Sequence, residues 1–450
     1  MNTIKSVATR AIFTVAAALF LINSAWAGIP IQHWTQASGA QVFLVESPGI
    51  PMVDVQIDLD AGGRRDPADK PGLASLMASG TANGVRATAT EAALDENALS
   101  EAWADLGASF GGSAGADRMS FALRSLTYPD LLDRAITLAA RQLAEPAFPE
   151  APWLRDRPKL LASLKEADTR PATLAARAFG RAVYGSHPYG YEMTAESLMR
   201  TSVQDLRALH ASAVRACDAK VSVVGAVTRA QADTLVQRLL ARLPVASCSA
   251  RPLVPEVAAL QAASEQRIAF ASAQAHVLVG QPGFQRNDPD FLALTVGNQI
   301  LGGGGFTSRL TNEVREKRGL TYSVYSNFAP GLHAGAFTMG LQTRPDQAQQ
   351  ALDLVREVLA KFVAEGPTEK ELQAAKDNLM GGFALRLDSN GKLLGNVANI
   401  AWNGLPLDYL DRWTERVDKI TMADVRAAFS RKVQPDKMAT VVVGADGAVQ

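Results

Sequence analysis

Hydrophobic and polar residues alternate over several short stretches of the chain and recur every three or four residues over longer ones. The alternating stretches predict strands at residues 53–59, 119–126 and 334–341. The longer stretches predict helices, and two of these begin at a Pro-Asp pair, at Pro129 and Pro345. Proline suits a helix start because its missing N–H would have no partner there. Strands and helices are therefore interspersed along the chain.

The predicted elements occur twice in the same order. In each half, two helices are followed by a Ser or Thr that can cap a third helix, and the half closes with an apolar strand. The matching features are helices at 129–143 and 345–362, helices at 150–166 and 368–387, cap residues Ser202 and Thr421, and strands ending at Gly225 and Gly444. This repeat predicts an α+β fold of two homologous domains, each an antiparallel-rich β-sheet covered by helices.

The domain boundaries follow from composition. The chain has 450 residues, 47% of them hydrophobic, which is enough to fill two cores. Residues 249–264 contain two prolines and little periodicity, which is typical of a linker. We therefore predict an N-terminal domain at residues 28–248 and a C-terminal domain at residues 265–450.

The first 27 residues are predicted to be a signal peptide. Lys5 and Arg10 precede an apolar run at residues 11–22, and residues 25–27 read Ala-Trp-Ala, the small-residue pattern that precedes signal peptidase cleavage. An uncleaved membrane anchor is the alternative, but the apolar run is short for a bilayer span. We therefore expect an exported, periplasmic protein that begins near Gly28 and has no stable membrane insertion.

The chain contains two cysteines, Cys217 and Cys248. Cys217 precedes an apolar strand at residues 221–224, and Cys248 follows a predicted helix at residues 230–243. A helix packed antiparallel to the strand before it returns its end to the start of that strand. A disulfide between the two is therefore plausible in an oxidising compartment, and two separate buried thiols are the alternative.

Charge and glycine pattern argue against nucleic-acid and nucleotide binding. The 45 basic and 45 acidic residues cancel, which leaves no electrostatic footprint for a polyanion. Four consecutive glycines at residues 302–305 suggest a phosphate loop, but no G-K-[ST] sequence follows them. We instead expect Gly303, Gly304 and Gly305 to form a turn whose backbone approaches a bound peptide or a partner subunit.

A longer motif surrounds these glycines. Residues 303–324 read GGGFTSRLTNEVREKRGLTYSV, which resembles the C-terminal signature of bacterial pitrilysin-type zinc peptidases, relatives of the mitochondrial processing peptidase. Residues 72–81, GLASLMASGT, occupy the place where active members carry H-x-x-E-H. With the matching domain order, the resemblance covers residues 35–445 and implies a chain that forms half of a clamshell.

The resemblance implies that this chain is the subunit that lacks the zinc site. Active members bind zinc through the two histidines and a downstream glutamate, and the glutamate of the motif is the general base. The matching positions here are Ser75, Ala78 and Ser79, with Ser163 in place of the downstream glutamate. No two of the five histidines lie three to five residues apart, so no short histidine motif replaces the site. We expect no metal in this chain.

The resemblance also implies a role for Arg315 and Tyr322. In the family, an arginine and a tyrosine at this spacing reach the zinc site of the opposing half and contact substrate carbonyl groups. Donors in that position stabilise the negative charge that develops on the scissile carbonyl oxygen. The competing interpretation is that Arg315 pairs with a surface acid and Tyr322 is a core residue.

The leading hypothesis is a non-zinc subunit of a heteromeric, periplasmic zinc metallopeptidase that is inactive by itself. Zinc is then expected in a homologous partner that carries H-x-x-E-H, and the substrate is an unfolded peptide or small protein. The alternatives are a non-catalytic, chaperone-like module that binds peptides by strand addition to a sheet edge, and a purely structural subunit. An adjacent gene for a similar-length protein with H-x-x-E-H would favour the first.

Overall fold

Two β-sheets organise the chain, one in each half of the sequence. The computed structural model describes residues 28–244, 248 and 250–444, so the predicted signal peptide lies outside the described residues. The strands are β1 Gln32–Thr35, β2 Gln41–Glu46, β3 Met52–Leu59, β4 Gly84–Val85, β5 Leu94–Asp95, β6 Ser109–Ala114, β7 Met119–Leu126, β8 Lys220–Gly225, β9 Ser264–Ile268, β10 Ala275–Pro282, β11 Ser323–Phe328, β12 Ala336–Thr343 and β13 Ala439–Val443.

The two large sheets share one topology. The first has the strand order β1-β2-β8-β3-β7-β6 and the second has the order β11-β12-β10-β13-β9. When the second order is reversed, it matches the first from β2 onward. The parallel pairs match as well, because β2 lies parallel to β8 and β9 lies parallel to β13. The predicted α+β fold with antiparallel-rich sheets is therefore confirmed, and β6 and β11 are equivalent edge strands.

Helices surround both sheets. They are α1 Leu73–Gly80, α2 Glu96–Asp105, α3 Pro129–Ala144, α4 Glu150–Ala167, α5 Pro171–Tyr184, α6 Ala195–Arg200, α7 Val203–Ala213, α8 Arg229–Leu240, α9 Phe291–Asn298, α10 Ala348–Glu365, α11 Glu369–Gly381, α12 Asn390–Asn403, α13 Trp413–Asp418 and α14 Met422–Lys432. Among the described residues, none of these helices combines the length and the hydrophobicity that a bilayer span needs.

Helix ends follow the predicted capping in several places. Ser202 caps α7 and Thr421 caps α14, each in a reciprocal capping box with the acidic residue three positions later. The prediction of a helix at residues 368–387 is wrong about where the helix ends, since α11 stops at Gly381. Two glycines in succession, Gly381 and Gly382, end it because glycine loses more backbone freedom in a helix than other residues.

The strand predicted at residues 334–341 also begins too early, since β12 starts at Ala336. The N–H of His333 donates to the hydroxyl of Tyr189 at 3.1 Å, and the N–H of Ala334 donates to Glu256 at 2.8 Å. Because these backbone groups are bound by side chains, they are not available to a neighbouring strand.

Each sheet is covered on one face by helices of its own half. In the first half, Met77 of α1, Leu143 of α3 and Leu239 of α8 are fully buried against the apolar face of the sheet. In the second half, the ring of Phe429 on α14 lies 4.8 Å from that of Phe362 on α10. Both rings are fully buried, which gives this half its own core.

The opposite face of each sheet is covered by a helix from the other half. Helix α5 of the first half packs against β10 and β13 of the second sheet, and α12 of the second half packs against β8 and β3 of the first. The α5 contact is apolar and contains Ala175, Ala178 and Phe179. The two halves therefore exchange helices, and each half completes the core of the other.

The contact between α12 and the first sheet includes a network of charged residues. Asp58 of β3 is fully buried and forms an ion pair with Arg118 at 3.0 Å. Arg118 also donates to the carbonyl of Ala398 at 3.1 Å, and Lys220 donates to that of Ala401 at 2.8 Å. Burial raises the pKa of Asp58, although the charge of Arg118 opposes the rise. Lys220 thus satisfies a carbonyl in the last turn of α12, where the helix dipole favours positive charge.

The structure joins Cys217 and Cys248 in a disulfide with a Cα–Cα distance of 6.0 Å and a sequence separation of 31. A covalent link over a loop of this length lowers the entropy of the unfolded chain. We expect replacement of both cysteines by serine to lower the free energy of unfolding by about 3–4 kcal/mol. Urea unfolding checks this value, and mapping of the non-reduced protein by mass spectrometry checks the pairing. Free thiols at both positions would contradict the prediction.

Candidate functional site

The positions that match the zinc motif lie on α1. This helix starts after Gly72, whose φ of +94° is readily adopted by glycine. The carboxylate of Asp66 accepts hydrogen bonds from the N–H of Gly72 at 2.8 Å and of Ala74 at 2.9 Å, which satisfies two free donors at the helix start. Burial raises the pKa of Asp66 to about 6, and the N–H donors oppose the rise. The helix is therefore firmly anchored at the end that leads to the motif positions.

The side chains at the motif positions do not fit a zinc ion. Ser79 donates its hydroxyl proton to the carbonyl of Ser75 at 2.9 Å, and Ser75 donates weakly to the carbonyl of Ala114 on β6 at 3.4 Å. Ala78 is fully buried and has no ligand atom. Zinc prefers thiolate, imidazole and carboxylate ligands, and none is present at these positions.

Ser163 does not complete such a site. It lies on the exposed side of α4, while Leu160 and Leu164 of the same helix pack against the first core. Among the described residues, no hydrogen bond joins it to Ser75 or Ser79. Within the described part of the chain, one group of three potential metal ligands has its ligand atoms within 4.8 Å of one another: Cys217, Asp218 and Cys248. The two sulfurs of this group are bonded to each other.

The glycine run has a packing role that the sequence did not indicate. A Cβ on Gly302 would lie 2.4 Å from the backbone N of Ser326 on β11, and one on Gly304 would lie 2.4 Å from the carbonyl of Gln299. Gly305 has a φ of +58°, which favours glycine. Gly303 and Gly305 are exposed, whereas Gly302 is buried.

The structure brings Arg315 and Tyr322 together. Arg315 lies in a π-helical turn at Thr311–Glu316, and Tyr322 immediately precedes β11. Gly319, with a φ of +61°, reverses the chain between them. The guanidinium carbon of Arg315 lies 4.8 Å from the centroid of the Tyr322 ring. Because Tyr322 is 81% exposed, the interpretation of this residue as part of the core is wrong.

A third residue, Phe306, belongs to the same cluster and was missed in the sequence. Its ring centroid also lies 4.8 Å from the guanidinium carbon of Arg315, and its side chain is 74% exposed. The signal was present as a large aromatic residue directly after four glycines. Such a residue contributes little to the stability of the fold, because most of its apolar area stays in water.

The two candidate regions lie beside equivalent edge strands of the two sheets. Helix α1 packs so closely on the edge strand β6 that a Cβ on Gly112 would lie 2.5 Å from the carbonyl of Ala78. The Arg315 turn packs on β11, the equivalent edge of the second sheet. Each sheet therefore presents one candidate region beside an edge strand.

Known proteins resemble this chain in sequence and in fold. A family model described as peptidase M16 inactive domain matches residues 200–379. A crystal structure from Pseudomonas fluorescens, described as a peptidase M16 inactive domain, has a TM-score of 0.87 and 34% sequence identity, and the match covers 93% of this chain and 99% of that one. This chain belongs to the peptidase M16 family. The pitrilysin-type resemblance is therefore confirmed, and the chain is a member that lacks the zinc motif.

Two sequence relatives show how names vary among similar M16 proteins. An uncharacterized zinc protease of Streptomyces coelicolor is 34% identical over 201 residues, which is 44% of this chain and 43% of that protein. The non-peptidase homolog YmxG of Helicobacter pylori is 26% identical over 298 residues, which is 65% of this chain and 68% of that protein. Similarity to M16 proteins thus does not by itself assign peptidase activity.

Proposed function

We propose that this chain is the non-zinc subunit of a heteromeric zinc metallopeptidase. In this proposal, Arg315 and Tyr322 bind substrate carbonyl groups and stabilise the oxyanion beside the zinc of a homologous partner that carries H-x-x-E-H. The substrate is an unfolded peptide or small protein. The chain alone contributes no metal and no general base, since Ser75, Ala78 and Ser79 replace those residues.

The exposure of Tyr322 is the observation that carries the proposal. A tyrosine that served the core would bury its ring, yet this one is 81% exposed beside a guanidinium. Hydrolysis of a peptide places negative charge on the carbonyl oxygen, and a phenol O–H and a guanidinium are both suitable donors to it. These donors stabilise the oxyanion more strongly when a partner excludes water from the site, because the local dielectric constant falls.

We propose a periplasmic location for the same assembly. The apolar run and the small residues before Gly28 support export. The disulfide that joins the two cysteines supports an oxidising compartment, since such bonds are rare in reducing ones.

Reconstitution tests the proposed function. We expect the dialysed chain to contain no stoichiometric zinc and to leave a quenched-fluorescent peptide uncut. Addition of a homologous protein with H-x-x-E-H, encoded beside this gene, is expected to produce cleavage that exceeds the activity of the partner alone. Tight one-to-one zinc in the chain alone, or a partner that is fully active without it, would refute the proposal.

The edge strands of the two sheets favour a second candidate function. Strand β6 pairs with β7 on one side and ends its sheet on the other, as β11 does beyond β12. An extended peptide can add to such an edge through backbone hydrogen bonds, which would make the chain a chaperone-like peptide-binding subunit. Binding of a fluorescent unfolded peptide to the chain, unaffected by Tyr322→Phe and without cleavage in any reconstituted pair, would favour this function over the first.

A further inference from the structure

We propose that Phe306 is a positioning residue that holds the guanidinium of Arg315 in place. The guanidinium carbon lies 4.8 Å from the centroids of both the Phe306 ring and the Tyr322 ring. A guanidinium at this distance is attracted to the face of an aromatic ring. A ring face attracts the whole cation and does not accept a hydrogen bond from each N–H group. The contact with Phe306 therefore leaves N–H donors of Arg315 available for hydrogen bonds to a substrate.

Among the residues that the structure describes, Arg315 forms one ion pair, and this pair is weak. Its Nε lies 3.3 Å from a carboxylate oxygen of Glu316, whose side chain is 54% exposed. Exposed ion pairs of this kind contribute little, because water and salt screen them. An arginine side chain has many rotamers to lose when it is held in one place. The two ring contacts are therefore the interactions that best explain a fixed guanidinium.

The position of Phe306 is set by its backbone turn. Thr307 donates its hydroxyl proton to the carbonyl of Gly304 at 3.0 Å, and Ser308 donates to that of Gly305 at 2.8 Å. Ser308 is fully buried, and its hydroxyl oxygen lies 3.0 Å from that of Thr311, the first residue of the turn that carries Arg315. This hydrogen-bonded connection links the Phe306 turn to the Arg315 turn and keeps the exposed ring beside the guanidinium.

Nuclear magnetic resonance on the chain alone tests the positioning without any partner. The Nε–Hε signal of Arg315 is assigned as the one lost in Arg315→Lys. In Phe306→Leu, which keeps an apolar side chain but removes the ring face, we expect ¹⁵N relaxation of Nε to report greater mobility. Phe306→Tyr, which keeps the ring, is expected to match the wild type. Unchanged relaxation in Phe306→Leu would overturn the proposal.

Kinetics of the reconstituted pair test the consequence, and this arm rests on the proposed function. We expect Phe306→Leu to lower kcat/KM about fivefold, as the loss of one cation–π contact predicts. Phe306→Tyr is expected to restore the wild-type value. In an Arg315→Ala background, Phe306→Leu is expected to have no further effect, because the two residues act as one unit.

The two failures are distinguishable. An equal loss from Phe306→Leu with and without Arg315 would overturn the positioning role. Wild-type turnover in Arg315→Ala would instead refute the proposed function, and the relaxation measurement would still decide whether Phe306 holds the guanidinium.

Discussion

Replacement of Tyr322 by phenylalanine is expected to lower the turnover of the reconstituted peptidase about 100-fold or more. The substitution removes one hydroxyl from a donor that would stabilise the oxyanion, and it leaves the ring that contacts Arg315. Since Tyr322 is 81% exposed, loss of its hydroxyl is expected to change the free energy of unfolding of the chain by less than about 0.5 kcal/mol. Peptide cleavage by the pair and urea unfolding of the chain measure the two quantities.

Tyr325 provides a matched control on the adjacent strand. It lies in β11, is 45% exposed, and packs its ring on Gly340 of β12. Tyr325→Phe also removes one phenol hydroxyl, yet we expect it to leave turnover unchanged. An equal loss in both variants would show that the effect is a general property of this surface. Wild-type turnover in Tyr322→Phe, with full assembly of the pair, would show that the tyrosine is not used in the reaction.

Local features of the fold could be predicted well from the sequence because short-range physics determines them. The alternation at residues 119–126 matches β7 at both ends. Ser202 and Thr421 cap helices as predicted, since a cap requires only the side chain and the next few N–H groups. The repeat of these features then gave the correct fold class, although the sequence could not show which helix covers which sheet.

The helix exchange could not be predicted because it depends on contacts between distant residues. The sequence of α5 indicates an apolar face through Ala175, Ala178 and Phe179, but such a face fits either sheet equally well. The polar face of the first sheet presents the same difficulty. Asp58 and Lys220 would be expected on the surface, whereas both are covered by α12.

In the candidate site too, the features that depend on local sequence could be predicted and a contact between separate turns could not. Alignment to a motif placed Ser75, Ala78 and Ser79 on one helix, and the structure places all three on α1. The proximity of Arg315 and Tyr322 also follows from a short loop with a glycine. Phe306 was missed because its contact depends on the turn formed by Gly305 and the buried Ser308, which no periodic pattern records.

The exchanged helix α5 makes a strong prediction about stability. Phe179 is 6% exposed and faces β10 at Gly280, where a Cβ would lie 2.8 Å from its ring. Gly280 therefore provides the space that this ring occupies. Replacement of a buried phenylalanine by alanine removes its apolar contacts and leaves a cavity. Since Phe179 belongs to the first half of the chain and packs on the second sheet, the loss would act on the contact that joins the two halves.

We expect Phe179→Ala to lower the free energy of unfolding by about 3–5 kcal/mol, as measured by urea unfolding. Leu385 offers a control, because this large apolar side chain is 66% exposed and its replacement by alanine is expected to change stability by less than about 0.5 kcal/mol. If the two halves depend on this contact, intrinsic fluorescence and circular dichroism of Phe179→Ala should show one coincident transition at a lower urea concentration. A loss below about 1 kcal/mol would show that the neighbouring side chains collapse into the space and that α5 contributes little to holding the halves together.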